Sequence, residues 1–252
     1  MDIQVEDVLG GKARRVVFNR PHKKNALTGA MYASLSDALA EAAAHRDVRA
    51  VVIAGNGPAF TAGNDLHDFM EAAPGEDSSV LRFLQALVTF PKPLVAAVGG
   101  AAIGVGTTML LHCDLVIAAA SAKFQLPFVN LGLCPEGGSS LLLPSAAGLQ
   151  LASDALLWGD PFGAADAHRM RIVNEVVPDT ELSARVVARL ERIVALPPDA
   201  VAATKALLRQ PIREELERAM GREVAVFRER LTSPEAAEAF TAFFEKRPPR
   251  FG

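Results

Sequence analysis

Short apolar stretches, glycine-containing turns and amphipathic stretches follow one another along about the first 180 residues. Uninterrupted apolar stretches predict buried strands, and apolar positions three or four residues apart predict helices. The predicted strands are residues 3–9, 14–19, 50–55, 94–98, 115–119 and 171–177. The predicted helices are residues 28–45, 80–90, 140–158 and 164–170, with one more reaching residue 111 after a turn at 99–106. This pattern indicates an α/β region.

From residue 180 onward the pattern is helical only. Pro197-Pro198, Pro211 and Pro234 divide this part, and each proline is expected in the first turn of a new helix. Residues 71–79 are rich in Pro, Gly, Ser and acidic side chains, which predicts a mobile loop. The chain is therefore expected to consist of an α/β region followed by a helical tail.

Composition excludes several classes of function. Half of the 252 residues are hydrophobic, 22% are charged and the net charge is −3, so nothing favours binding to nucleic acid or to an anionic membrane. Glycines interrupt the uncharged stretch 94–111, which therefore predicts a buried strand, turn and helix instead of a membrane span. Two cysteines are too few for a disulfide framework, and the histidine spacing supports no metal site. We expect a cytoplasmic protein.

One carboxylate stands alone in a long region that has no other acidic residue. Glu136 is the only Asp or Glu between Asp114 and Asp154, and residues 137–140 (GGSS) predict a helix start directly after it. A charge among apolar residues must be paired, solvated or used in chemistry, because burying it alone is costly. A general base at the edge of a pocket and a helix-capping or surface glutamate are both compatible with this pattern.

Two glycine turns are candidates for a second part of a site. Residues 60–66 and 101–106 each place small residues between a predicted strand and a helix. Such turns can direct backbone N–H groups at one oxygen, as in an oxyanion hole. The spacing by itself favours plain tight turns. A dinucleotide-binding loop is not supported, because Gly104-Val105-Gly106 lacks the third glycine.

Taken together, these stretches resemble the crotonase (enoyl-CoA hydratase/isomerase) family over nearly the whole chain. The resemblance is carried by residues 19–21, 25–27, 60–66, 92–93, 100–106, 113–114, 124–132 and 242–247. Residues 63–66 and 135–140 are most similar to the delta3-delta2-enoyl-CoA isomerases. The implied fold is an α/β spiral of ββα units of the ClpP/crotonase type over residues 1–195. A helical region at 196–252 would assemble homotrimers, or hexamers made of two trimers.

The resemblance also implies a site for an acyl-CoA thioester. The N–H groups of Asn64 and Val105 would bind the thioester oxygen, and Glu136 matches the base that moves a proton from C2 to C4. Family hydratases use two glutamates, and the matching positions here are Thr108 and Phe128. Isomerisation of 3-enoyl-CoA to trans-2-enoyl-CoA is therefore the expected reaction, with no cofactor, since coenzyme A is part of the substrate.

The remaining site residues follow from the same resemblance. The expected substrate-binding residues are Lys23, Lys24, Ala62, Gly63, Asp65, Leu66, Gly104, Phe128 and Lys246. Lys23 and Lys24 match a loop beside the CoA phosphates and Lys246 lies on the terminal helix, although solvated lysines fit these positions equally well. Hydration or another crotonase reaction is the alternative activity, and a non-catalytic acyl-CoA-binding protein is the alternative class. Burial would raise the pKa of Glu136 and a following helix start would lower it.

Overall fold

The structure is a computed structural model that describes residues 1–71 and 79–252. Most of the loop predicted at 71–79 falls on residues outside this described part. Within the described ranges the strands are β1 (Ile3–Val8), β2 (Ala13–Phe18), β3 (Ala50–Gly55), β4 (Ala59–Thr61), β5 (Leu94–Val98), β6 (Ala101–Ile103), β7 (Leu115–Ala119), β8 (Lys123–Gln125), β9 (Phe162–Gly163) and β10 (Glu175–Val177).

Helices follow most of these strands. In the described ranges the α-helices are α1 (Gly29–Ala44), α2 (Leu66–Glu71), α3 (Ser79–Thr89), α4 (Val105–Thr108), α5 (Ser139–Ala147), α6 (Leu149–Ser153), α7 (Ala164–Arg169), α8 (Leu182–Val194), α9 (Pro198–Leu231) and α10 (Pro234–Glu245). Short 3-10 turns lie at Pro21–Lys23, Met109–His112, Val129–Leu131 and Asp179–Glu181, and Asp154–Trp158 is a π-helical turn.

A large sheet in the order β1-β2-β3-β5-β7-β10 forms the centre of the fold. β1 and β2 pair antiparallel through a turn in which Gly10 and Gly11 have positive φ, and the other neighbours pair parallel. β3, β5 and β7 have the predicted bounds because both faces of a central parallel strand are covered and its sequence is continuously apolar. The α/β class is confirmed.

A second, smaller sheet places the site. Its order is β4-β6-β8-β9, with β9 antiparallel to β8. None of its four strands was predicted, and the expectation that residues 99–106 turn directly into a helix reaching 111 was wrong. β6 occupies the middle of that turn, α4 has a single turn, and a 3-10 turn follows it. Strands of two or three residues are too short to show a period in the sequence.

Other bounds also differ from the predictions. The helix expected at 140–158 is divided at Gly148, whose φ is +82°, and it ends in the π-helical turn. The strand expected at 171–177 is shortened to β10, because Arg171 has a positive φ of 61°. Pro211 does not begin a helix and lies inside α9. Contacts on both sides hold that helix together: Arg209 binds Asp114, and Leu216 is buried in the core.

The two terminal helices pack against the α/β region. Leu216 and Met220 of α9 and Phe240 of α10 belong to the main hydrophobic core, together with Phe18, Phe60 and other residues of the sheets. The boundary at residue 195 falls between α8 and α9, and its role as a domain boundary stays a prediction. Among the residues described, no helix combines the length and the hydrophobicity that crossing a membrane requires.

Candidate active site

A cavity of about 750 Å³ opens between the smaller sheet and the terminal helices. It contains most of the residues that the sequence placed in a substrate site. The predicted residues that line it are Lys23, Ala62, Gly63, Asn64, Asp65, Leu66, Gly104, Val105, Phe128 and Lys246. Two predicted residues, Lys24 and Glu136, do not line it. The fold thus brings together segments that are far apart in the sequence.

The first wall of the cavity is the turn between β4 and α2. Gly63 has a φ of +87°, and a Cβ there would lie 2.8 Å from the carbonyl oxygen of Ile103, so a larger residue would push the turn away from β6. Leu27 N–H donates to Gly63 O and Asp65 N–H donates to Leu27 O, at 2.8 and 2.9 Å. These two bonds pair Leu27 with the carbonyl of Gly63 and the N–H of Asp65, and neither of them uses the N–H of Asn64.

Side chains hold the same turn from behind. Arg20 forms an ion pair of 2.6 Å with Asp65. The hydroxyl of Tyr32, which is fully buried on α1, donates to Oδ1 of Asn64. Asp68 accepts a hydrogen bond of 2.6 Å from the Gly29 N–H at the start of α1. The backbone around Asn64 is therefore fixed by contacts with α1 and with the Arg20 loop.

The second wall is the turn between β6 and α4. Gly104 has φ 55° and ψ −119°, and its carbonyl accepts from the N–H groups of Thr107 and Thr108. Val105 is the first residue of α4, a position whose N–H has no partner within a helix. In the described part of the chain, neither this N–H nor that of Asn64 donates to a protein acceptor. Asn64 and Val105 both line the cavity.

Glu136 lies behind the second wall. The hydroxyl of Thr108 donates to its Oε1. Thr108 lies three residues after Val105 on α4, so the residue that holds the carboxylate and the residue that offers the N–H lie on the same short helix. The side chain is partly buried, and burial is the main cause that raises the pKa of Glu136 from 4.5 to about 7. The Thr108 bond acts in the opposite direction, and the charge of Glu223 raises the pKa further.

The backbone of the Glu136 turn is also held. Nε2 of the buried His112 lies 2.7 Å from Gly137 O, and the Ser139 hydroxyl donates to Glu136 O at 2.6 Å. Burial lowers the pKa of His112 to about 4, so the ring is neutral at pH 7. Because a carbonyl only accepts, the proton of the neutral ring must be on Nε2.

The rest of the cavity is apolar with a basic rim. Phe128, Leu133 and Phe227 line it from inside, and the exposed rings of Phe243 and Phe244 line it from α10. Lys246 caps the C-terminus of α10, and Lys23 lies in the 3-10 turn Pro21–Lys23. Both lysine side chains are exposed. The arrangement suits a ligand with an apolar chain and an anionic end.

Some groups at this site have no signal in the sequence. The Tyr32–Asn64 bond, the His112–Gly137 bond and the Glu223 charge join residues that are distant in the chain. Thr108 was considered only as the position of a hydratase glutamate, and its bond to Glu136 was not anticipated. A hydroxyl three residues after a turn that supplies an N–H donor would have been a usable signal, since both lie on one helix.

The fold and the site define a crotonase-type α/β protein. The sequence pattern of the family described as "Enoyl-CoA hydratase/isomerase" matches residues 13–252, and the chain belongs to this family. Enoyl-CoA delta isomerase 2 of Homo sapiens is 35% identical over 92% of this chain and 61% of that protein. A probable enoyl-CoA hydratase of Rhodobacter capsulatus is 37% identical over 94% and 93% of the two chains.

A solved structure agrees over the full length. The crystal structure of an enoyl-CoA hydratase/isomerase from Pseudoalteromonas atlantica has a TM-score of 0.94 and 42% identity, and all of both chains is covered. The chain spans about three fifths of the length of enoyl-CoA delta isomerase 2 from Homo sapiens and from Rattus norvegicus, at 61% and 62%. Both isomerases and hydratases therefore occur among proteins of comparable similarity.

Proposed function

We propose that this protein isomerises 3-enoyl-CoA to trans-2-enoyl-CoA, with Glu136 as the only general base. The observation that carries the proposal is the position of this carboxyl group. It is partly buried and accepts a hydrogen bond from Thr108, which lies on the same short helix as Val105, a residue of the cavity wall. A carboxyl group with a pKa of about 7 is suited to both taking and returning a proton at neutral pH.

The reaction uses the two walls of the cavity together. The thioester oxygen accepts hydrogen bonds from the N–H groups of Asn64 and Val105. Glu136 takes a proton from C2, and the electrons move into a dienolate whose oxygen carries the negative charge. The same carboxylic acid then gives the proton to C4, which leaves the double bond between C2 and C3. Each N–H donor of this kind is worth about 3 kcal/mol of transition-state stabilisation.

Asp65 is a carboxylate that lines the cavity directly, but its environment is unsuitable for a base. Asp65 is paired with Arg20, and the hydrogen bond from this guanidinium lowers the pKa of Asp65 below its usual value. The two carboxyl groups are thus shifted in opposite directions. Such a pair indicates which group exchanges protons and which stays ionised.

Addition of water is disfavoured by the two residues at the hydratase positions. Thr108 and Phe128 are both buried, and neither side chain can accept a proton as a general base near neutral pH. Phe128 adds an apolar ring to the cavity wall, where a second carboxylate would be needed to position water. A one-base proton transfer is the chemistry that the remaining groups support.

The substrate orientation follows from charge and hydrophobicity. Lys23 and Lys246 lie at the rim and are assigned to the phosphates of coenzyme A, while Phe128 and Leu133 line the path of the acyl chain. Lys24 is exposed and lies away from the cavity, so its side chain is assigned no direct contact with the acyl group. Coenzyme A enters and leaves as part of the substrate.

The test is a comparison of products from two substrates. Purified protein is given 3-hexenoyl-CoA and, separately, crotonyl-CoA, and products are separated by liquid chromatography. The proposal expects 2-hexenoyl-CoA from the first substrate and little 3-hydroxybutyryl-CoA from the second. Glu136→Gln should reduce turnover of 3-hexenoyl-CoA by about 10³-fold, within the usual range for loss of a general base.

Two further measurements separate the alternatives. His67 also lines the cavity, so His67→Gln is assayed beside Glu136→Gln, and the larger loss must belong to Glu136. Unchanged turnover in a folded Glu136→Gln protein contradicts the proposal. Calorimetric binding of acyl-CoA without turnover by the wild type would instead favour a non-catalytic binding protein, and rapid hydration of crotonyl-CoA would favour a hydratase.

We also propose that the chain assembles into trimers through its helical tail. Exposed apolar side chains on α9 support this, among them Leu207 and Leu208, which are 71% and 72% exposed. Large apolar side chains at such exposure favour association. Light scattering after size-exclusion chromatography should give three times the mass of the chain, or six times for a pair of trimers. A monomeric mass would contradict this assembly.

A further inference from the structure

A second carboxylate lies next to Glu136 on the other side of its turn. Glu223 of α9 is only 6% exposed, and its charge has no assigned role in the proposed reaction. Its Oε2 accepts from Gly138 N–H at 2.6 Å, and its Oε1 accepts from Ser140 N–H at 2.9 Å. Both oxygens of Glu223 thus accept hydrogen bonds from backbone N–H groups at the start of α5.

The position of Glu223 is explained by the start of α5. The first N–H groups of a helix lack partners and carry the positive end of the helix dipole. Gly138 precedes α5 and offers no side-chain cap, so the cap comes from Glu223, which is 85 residues away in the chain. The positive pole of α5, which directly follows Glu136, is therefore already occupied by a negative charge.

The packing of α9 against this turn is close. A Cβ on Gly138, whose φ is +76°, would lie 2.3 Å from Cδ1 of Leu216. Leu216, Met220 and Glu223 are four and three residues apart, so they lie on one face of α9. Through this face, α9 contacts the segment that carries Glu136.

We propose that Glu223 is a positioning residue for Glu136: it fixes the 136–140 turn and cancels the positive pole of α5 that would otherwise act on the Glu136 carboxyl. The proposal rests on the proposed function of Glu136 as the base. Through Glu223, helix α9 then helps to set the proton affinity of Glu136, although no atom of α9 takes part in the proposed reaction.

Other ionisable groups near Glu136 do not replace this effect. Burial raises the pKa of Tyr32 and of Cys134, and the charge of Glu136 raises both further, so both side chains are neutral at pH 7. His112 contacts Gly137 as a neutral ring, and Lys205 and Arg209 lie beyond it. Glu223 is the charged group that acts on Glu136 among the residues described, and burial and Glu223 act in the same direction.

The test replaces the charge and keeps the shape. In Glu223→Gln the negative charge at the pole of α5 is lost, so the pKa of Glu136 should fall by about one unit, a tenfold change in proton affinity. The pKa is read without substrate from a carboxyl ¹³C titration, with the Glu136 resonance assigned by its loss in Glu136→Gln. Glu217→Gln is the matched control, because Glu217 is an exposed glutamate on the same helix. It should leave the Glu136 titration unchanged.

The outcomes distinguish this proposal from the proposed function. An unshifted Glu136 titration in a folded Glu223→Gln protein overturns the role of Glu223, whatever the activity. A lowered pKa supports that role even if wild-type protein fails to turn over 3-hexenoyl-CoA, and that failure overturns only the proposed function. If Glu223→Gln does not fold, Glu223→Met removes the same charge with an apolar side chain of similar length, and the same downward shift is required.

Discussion

In the proposed reaction, the glycine turns at 63–66 and 104–106 act through backbone atoms, whereas the turn at 135–140 acts through one side chain. In the first two, the geometry of the chain aims the N–H groups, so glycines and supporting contacts matter more than the side chains of the donor residues. In the third, burial, Thr108 and Glu223 set the proton affinity of Glu136. The two regions should therefore respond to different kinds of substitution.

The strongest challenge to the backbone turns is Gly63→Ala. The added Cβ would meet Ile103 O at 2.8 Å at a φ of +87°, so the turn must shift and the Asn64 N–H with it. We expect kcat to fall about 100-fold, as for loss of one oxyanion donor. Gly148→Ala is the matched control, because it has a similar φ of +82° and open space around the Cβ. A folded Gly63→Ala protein with wild-type kcat would contradict the role of the Asn64 N–H as a hydrogen-bond donor to the substrate.

The side-chain turn is tested by the pH dependence of stability. The pKa of Glu136 is about 7 in the folded protein and near 4.5 when unfolded, so the folded state holds more protons between these values. The contribution of Glu136 to the free energy of unfolding is complete below pH 4.5. It is lost as the pH rises through 7, a change of about 3 kcal/mol. Because a glutamine side chain does not titrate, Glu136→Gln should gain this amount over wild type between pH 4.5 and 8.

Urea unfolding of both proteins at the two pH values measures this difference. Glu217→Gln, on an exposed part of α9, should show no comparable gain. If the advantage of Glu136→Gln is the same at pH 4.5 and pH 8, the carboxyl group has an ordinary pKa, and the contrast between the two regions is lost.

A smaller effect is expected from Thr108→Val. The Thr108 hydroxyl stabilises the ionised form of Glu136, so its removal should raise the pKa of Glu136 by about one unit. The acid limb of kcat/KM for 3-hexenoyl-CoA should move to higher pH by that amount. Thr107→Val is the control, because the Thr107 hydroxyl donates to Ala102 O at 2.6 Å and does not contact Glu136. Equal shifts in both variants would contradict the assignment.

The smallest effect is expected from Val105→Ala. Only the backbone N–H of Val105 is assigned to the reaction, so kcat should change by less than about threefold. The buried side chain contributes to packing, and its truncation should lower the free energy of unfolding by about 2 kcal/mol. Steady-state kinetics and urea unfolding measure the two effects separately. A 100-fold loss of kcat without loss of stability would show that the side chain itself takes part.

The same contrast explains how much the sequence could predict. β3, β5 and β7 were predicted at their observed bounds, because continuous apolar stretches are typical of parallel strands covered on both faces. β6 and β8 were missed, since three-residue strands carry no readable period. Pro211 was misread because tertiary contacts hold α9 together on both sides of it.

Within the site, features made by neighbouring residues could be predicted from the sequence, whereas contacts between distant residues could not. The glycine turns and the isolated Glu136 are visible as short stretches of sequence. The groups that hold and tune them are not, because Tyr32 is 32 residues from Asn64 and Glu223 is 85 residues from Gly138. Only the fold could show that Glu223 already occupies the helix start which was expected to lower the pKa of Glu136.

The most direct test of the central claim is the pH profile of kcat/KM for 3-hexenoyl-CoA between pH 5 and 9. This profile reports the ionisation of the free enzyme. With Glu136 as the base at a pKa of about 7, kcat/KM should rise about tenfold per pH unit up to pH 7 and then level off. A profile that is flat from pH 5 to 9 would contradict the account, because it would require a base of ordinary carboxylate pKa.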